Sequence, residues 1–148
     1  MAPERGIRSL IPEAFHDLLT SDAVATLATL RADGTPHLTP VWIDIDQGDL
    51  LVNARDDRFK AAHMRQRPDV AVCMVDPGNP YRYLSVTGVV ESVSDEGAAQ
   101  HMDSLARRYL RVSLYPWARP GDRRLVFRIR PTRVLTDSGE VDLPEPEF

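Results

Sequence analysis

The sequence predicts a mainly β protein: about six strands in a mostly antiparallel sheet, closed into a small barrel, with three flanking helices in one α+β domain over residues 1–148. Three observations carry this. β-branched and apolar runs of strand length recur along the whole chain. Tight-turn sequences, Asp33-Gly34 and Asp46-Gln47-Gly48-Asp49, separate the first three of them. Residues 124–135 alternate Leu125, Phe127 and Ile129 with Arg124, Arg128 and Arg130, the period of a half-exposed strand. Closing six such strands removes exposed edges.

Each element follows in order. Ile11, Ala14, Phe15, Leu18 and Leu19 have helical spacing, and Pro12 suits a first turn, so residues 1–22 form an N-terminal helical segment ended by Ser21-Asp22. Residues 23–30 read as the first strand. The return strand is 36–44, where Pro40 argues for a bulge or an edge. Residues 50–53 form the third strand. Arg58 to Arg67 reads as a short helix stopped by Pro68. Strands at 70–75 and 81–93 follow, the second containing Gly88, which fits a bulge or a close backbone approach. Asp95 is the expected cap of a helix reaching about Tyr109, with Ala98, Met102, Leu105, Ala106 and Tyr109 on one face. Residues 113–122 are an aromatic, proline-bearing loop. The tail 136–148 is acidic and reads as loose.

Composition narrows the function. The formal net charge of −4 over 148 residues gives no global pull toward nucleic acid or an anionic membrane. One cysteine excludes an intrachain disulfide and a cysteine zinc site, and Cys73 reads as a packed, inert thiol. No apolar run reaches the roughly 20 residues of a membrane span. The start of the chain carries no apolar signal core, so the expectation is a cytoplasmic protein.

Local chemistry concentrates in residues 53–67, NARDDRFKAAHMRQR. Lys60 is the only lysine beside seventeen arginines. Arg55, Arg58 and Lys60 fall where a strand gives way to a helix, whose first amides and partial positive charge suit a phosphate. An ordinary solvated helix accounts for the same charges, and Asp56 and Asp57 could neutralise them. Asp44, Asp46 and Asp49 lack the spacing and final glutamate of a calcium loop and read as a turn. His16, His37, His63 and His101 show no metal-ligand spacing; His63 and His101 read as surface helix residues. Arg107, Arg108 and Arg111 read as a solvated helix face. No catalytic triad is legible, and no catalytic or metal-binding side chain is assigned.

The stretches VATLATLRADGTPHLTPVWIDID, DLLVNARDDRFKAAHMRQRPDVAVCMVD and YRYLSVTGVVESV, in this order and at this spacing, resemble the flavin and deazaflavin split-barrel superfamily. That superfamily includes pyridoxamine-phosphate oxidase. The likeness runs from about Ala23 to Leu135 and is greatest to small actinobacterial reductases that use coenzyme F420. It implies a six-stranded antiparallel split β-barrel of the FMN-binding type, a homodimer, and a cofactor groove at the dimer interface.

By the resemblance, Arg58 and Lys60 bind the cofactor phosphate. Asn53, Ala54 and Arg55 run beside the ring and ribityl chain. His37, Thr39, Pro40 and Val41 line the ring. Tyr81, Arg82 and Tyr83 approach from the later strand, and Tyr115 and Trp117 sit near the groove mouth. The implied activity is hydride transfer from reduced coenzyme F420 to an electron-poor small-molecule acceptor. FMN is the alternative cofactor, and a non-catalytic cofactor-binding protein or a haem-handling member is the alternative role. Ala54 and His63 depart from the Thr or Ser and the Asn common in relatives. The ending VDLPEPEF lacks the Trp and Arg-Leu-x-Pro pattern of the vitamin-B6 oxidases, which argues against that activity.

Overall fold

Two tight turns set the register of the first half of the sheet. In the computed structural model, which describes residues 10–137 and 139–142, strand β1 (Ala25–Leu30) pairs antiparallel with β2 (Pro36–Val41). Gly34 turns the chain with φ 86°, and Asp33 Oδ1 accepts from the Thr35 amide at 3.0 Å. Strand β3 (Ile43–Asp46) pairs with β4 (Asp49–Arg55) across Gln47 and Gly48, whose φ values of 52° and 82° are those of a two-residue type I′ turn. Asp46 and Asp49 flank this turn, and Asp44 lies within β3 opposite Leu51. Residues 1–9, 138 and 143–148, which carry part of the expected N-terminal segment and tail, lie outside the described residues.

Helix α2 (Phe59–Gln66) follows β4, then come β5 (Asp69–Asp76), the long β6 (Asn79–Ser94), helix α3 (Ala98–Leu110) and β7 (Arg124–Thr136). Neighbouring strands run in the order β2-β1-β5-β6-β7-β4-β3, every pairing antiparallel. Seven strands therefore line the path where six were expected. The difference is at Trp42: the expected single strand 36–44 breaks there into β2 and β3, which lie at opposite ends of the sheet. The sheet is curled, and its two edges are consecutive pieces of one segment rather than a continuously bonded barrel. Pro40 sits on the edge strand β2, where its missing N–H leaves no ladder bond unmade.

Helix α3 supplies the backbone partners that the break exposes. The Tyr109 hydroxyl accepts from the Ile43 amide at 3.0 Å and donates to Ala23 O at 3.0 Å, while Arg108 donates to Ile43 O. The Trp42 ring stacks on Tyr109 at 5.1 Å and 8°. Ala98, Met102, Leu105 and Ala106 are buried, as the helical spacing predicts. The core inside the curl includes Leu27, Ile43, Leu50, Val52, Met74, Leu84, Leu125, Phe127 and Ile129. At Gly88 a Cβ would stand 2.6 Å from Ile129 Cγ2 and 2.7 Å from Arg130 O, so this glycine marks both a register shift and a close approach.

Four local expectations are corrected. Among the described residues the N-terminal helix is a 3₁₀ turn, Glu13–Phe15, followed by the single turn α1 (Asp17–Thr20). Asp95 does not cap α3 with its side chain. Gly97, at φ 68°, occupies the N-cap position, and the Asp95 carboxylate pairs with Arg123 at 3.1 Å. Part of the tail is not loose: β8 (Gly139–Asp142) pairs with β7 from Thr136↔Gly139 to Arg133↔Asp142, so an available ladder outweighs its acidic composition. Arg108 is not on a solvated face, because it is bound to Ile43 O and Asp44.

Candidate functional site

A cavity of about 550 Å³ opens where β2, the end of β4, the start of α2, α3 and the start of β7 converge. The β4–β7 pairing creates this junction. It sets Ala54 opposite Leu125 and Arg55 opposite Arg124, so two chain regions far apart in sequence share one wall. His37, Thr39 and Pro40 line the cavity from β2, with Val41 and Trp42 at the strand break. Asn53, Ala54 and Arg55 line it from β4, and Arg58 and Lys60 from the α2 entrance. Tyr115 closes the side nearest the α3–β7 loop.

The charges in this lining are one-sided. Among the described residues no aspartate or glutamate contributes to the wall. Arg55 is already neutralised, gripping Asp57 through Nε at 3.0 Å and Nη2 at 3.2 Å. Arg58 and Lys60 have no carboxylate partner among the described residues. Arg124 donates to Asn53 Oδ1 at 3.2 Å and lies over the Tyr115 ring at 4.7 Å. Burial pulls the Lys60 ammonium below its ordinary value of 10.5, and the charges of Arg58 and Arg124 push it further the same way. Burial also lowers Arg124, partly opposed by Tyr115 and Asp122. Among the described residues no carboxylate offsets this cost, and an anion from outside would.

The same end of the cavity carries the start of α2. Arg58 is the N-cap and makes no side-chain cap, so the first turn relies on backbone bonds such as Ala61 N to Arg58 O at 3.1 Å. Away from the cations the wall is apolar, with Val41, Trp42, Ala54, Met102 and Leu105. Thr39 Oγ1 is buried with no hydrogen-bond partner among the described residues. His37 Nδ1 takes a hydrogen bond from Arg31 at 3.1 Å, and its ring meets His63 edge-on at 5.3 Å. His63, in turn, is within 2.9 Å of Thr29 Oγ1 and is held below its ordinary value, chiefly by burial.

Ten of the fourteen residues singled out from the sequence line this cavity; Tyr81, Arg82, Tyr83 and Trp117 lie outside it. Arg82 is committed elsewhere, to Asp17 at 2.6 Å, Asp76 at 3.0 Å and Ala14 O at 2.6 Å, with its guanidinium over Phe15. Tyr81 is 83% exposed. Trp117 meets Tyr115 edge-on at 5.6 Å and is 60% exposed. His101 is not a surface residue either. It stands between Asp44, at 3.0 Å, and Asn53, at 3.1 Å. Val24, Trp42, Phe59 and Arg124 line the cavity although the sequence does not single them out for it, and sequence spacing places Met102 and Leu105 only on the apolar face of their helix. The alternation of β7 gave the one available signal for Arg124, by placing it off the core face.

A family model described as pyridoxamine 5'-phosphate oxidase matches residues 11–137. The chain belongs to this family. Within the pyridoxamine 5'-phosphate oxidase fold it is similar to the structure of an F420 reductase, at 32% identity and a TM-score of 0.74, covering 84% of this chain and 98% of that one. A conserved hypothetical protein from Mycobacterium tuberculosis is 27% identical, with a TM-score of 0.67, over 93% of this chain and 92% of that one. A heme binding protein from Mycobacterium smegmatis, at 22% identity and a TM-score of 0.62, shares the fold over 89% of this chain and 59% of its own. No curated protein matches the sequence. Among the described residues no cluster of His, Cys, Asp and Glu could hold a metal ion, and no helix is long and apolar enough to cross a membrane.

Proposed function

We propose that this member of the pyridoxamine 5'-phosphate oxidase family is a homodimeric, cytoplasmic reductase that binds coenzyme F420 in the cavity and acts on electron-poor small molecules. One observation carries the reading: Lys60 is half-buried and set beside Arg58 and Arg124 at the end of a cavity where, among the described residues, no carboxylate pairs with it or lines the wall. The 32% identity to an F420 reductase supports the choice of cofactor. The fit is consistent in size, since about 550 Å³ falls in the range of small-molecule sites.

When bound, reduced coenzyme F420 supplies a hydride to the acceptor. The chain supplies binding, orientation and a dry surface. Lys60 and Arg58 hold the phosphate. Thr39 Oγ1 offers its unused hydrogen-bonding capacity to a polar edge of the ring system. The backbone of residues 39–41 and 53–55 would orient the ring. Trp42, Met102 and Leu105 keep water from the apolar face, against which an acceptor stacks. No side chain is assigned as proton donor, and solvent serves that role.

FMN also carries a phosphate at the end of its ribityl chain, so Lys60 alone does not choose between the two. The deciding experiment is a fluorescence titration of ligand-free protein with coenzyme F420 and, separately, with FMN. Micromolar binding of coenzyme F420 with weak FMN binding supports the reductase. Preferred FMN binding moves the function to flavin chemistry. Tight binding without turnover of any acceptor favours a carrier, and failure of both cofactors to bind refutes the phosphate assignment.

A further inference from the structure

Arg124 reaches the cavity through a polar network buried under it. Asn53 Nδ2 donates to Ala98 O at 2.8 Å and stands 3.1 Å from His101 Nδ1, while Asn53 Oδ1 accepts from Arg124 Nη1 at 3.2 Å. Two of these partners fix the amide. A flipped Asn53 would turn its NH2 group on the guanidinium and its oxygen on the Ala98 carbonyl, leaving donor against donor and acceptor against acceptor. Asn53 Nδ2 is only a donor, so His101 Nδ1 must accept. The ring proton then sits on Nε2 and donates to Asp44 Oδ2 at 3.0 Å. Asp44 is steadied in turn by Arg108 at 3.3 Å and by the Ile45 amide at 2.9 Å. Burial alone would raise the Asp44 carboxyl, but the His101 and Ile45 hydrogen bonds and the Arg108 charge outweigh it and hold it below the ordinary range.

We propose that Asp44, His101 and Asn53 are positioning residues that aim the Arg124 guanidinium into the cavity, and that they do so only while His101 is neutral and protonated on Nε2. This deepens the function proposed above, and rests on it for the identity of the anion. Protonation of Nδ1 replaces the acceptor by a donor facing the Asn53 NH2. Asn53 then loses its place, and Arg124 loses the oxygen that orients it, keeping only its contact with the Tyr115 ring. The charged groups around His101 are Asp44 from β3, Arg108 of α3 acting through Asp44, and Arg124 of β7 acting through Asn53. The network thus couples acidity to the reach of one cation. It adds Arg124 to Arg58 and Lys60 as a third positive arm, since Arg55, which sequence spacing also places there, is held by Asp57.

Two measurements test this. Long-range proton–nitrogen NMR on ¹⁵N-labelled, ligand-free protein at pH 8 reads the His101 tautomer directly. The Nε2–H form is expected, and an Nδ1–H or doubly protonated ring overturns the proposal whatever any cofactor does. The second compares wild type with His101→Gln, whose amide keeps one acceptor and one donor and does not titrate. Dissociation constants for FMN and for coenzyme F420 are measured at pH 8 and pH 5.5, and the ratio between the two proteins cancels the ionisation of the phosphate itself. Wild type is expected to weaken about tenfold more than the variant on acidification, the value of one charge-assisted contact. Equal weakening overturns the relay.

If neither cofactor binds wild type at pH 8, the proposed function falls. Inorganic pyrophosphate, followed through the Arg124 side-chain signal, then replaces them as the probe. A pH dependence present in wild type and absent in the variant supports the relay. No difference, or no response of Arg124, overturns it. If His101→Gln fails to fold, the tautomer measurement on wild type decides alone.

Discussion

Replacing Lys60 by methionine is expected to move ligand affinity and stability in opposite directions. Methionine keeps the length and apolar stem of lysine and removes the charge. In the ligand-free protein the ammonium is half-buried and faces Arg58 and Arg124 without a carboxylate, so the fold works against its charged form. Taking it away raises the apo protein's melting temperature. A phosphate in the cavity reverses the sign, because the lost contact is a charge-assisted hydrogen bond worth about 1.5–3 kcal/mol. That corresponds to a dissociation constant raised about tenfold to about a hundredfold. The pH dependence sharpens the test. An ammonium lowered by folding binds fewer protons in the folded chain than in the unfolded one between its lowered value and 10.5. Wild-type stability therefore gains a component as pH rises through that window, and Lys60→Met lacks it. Titration by fluorescence and thermal melts from pH 7 to pH 10.5 give both readings. A lower melting temperature would mean that Lys60 supports the fold, and an unchanged affinity for a ligand that wild type binds would sink the phosphate site.

Gly88→Val should destabilise the protein by about 1–3 kcal/mol in urea unfolding, since its side chain must displace Ile129 or the Arg130 backbone; an unchanged midpoint would show that the β6–β7 ladder yields freely. Arg82→Ala should free residues 10–20 for limited proteolysis while leaving cofactor affinity unaltered, because Arg82 ties Asp17, Asp76 and Ala14 and lies outside the cavity. A weakened affinity would return Arg82 to the site. Hydrogen bonds from Arg82 chiefly lower the Asp17 carboxyl, and those from the Gly78 amide and Arg82 lower Asp76, both from an ordinary 3.8. Their contribution is fully present above pH 3.8 and fades as pH falls through the lowered values, so acid melts of Arg82→Ala and wild type should converge at low pH.

What could be read from the sequence was what local physics decides. Gly34 and Gly48 supply the positive φ that the Asp33-Gly34 and Gln47-Gly48 turns need, and the turns stand where these residues place them. The apolar face of α3 follows from spacing alone. The break at Trp42 is different in kind. Pro40 hints at irregularity, but the break is fixed by Tyr109 and Arg108, more than sixty residues away in the chain. Arg124 has the same disadvantage, since only the β4–β7 register brings it beside Arg55. His101 looks like a surface histidine until Asp44 and Asn53, on two other strands, are set against it. Composition misjudged Gly139–Asp142 because an acidic segment still takes a ladder when β7 offers one.

The pairing of β4 with β7 also dictates when the cavity can exist. Its two walls join residues near 55 to residues near 124, and in a chain made from the N-terminus the second wall is synthesised well after the first. A nascent chain holding Lys60 and Arg58 has the phosphate residues but no place to put a phosphate. The loop between the walls must close first, which makes this contact one of the slow, long-range steps of folding. Ligand therefore cannot template the early sheet. It can only bind, and by mass action stabilise, a molecule whose β7 is already in place.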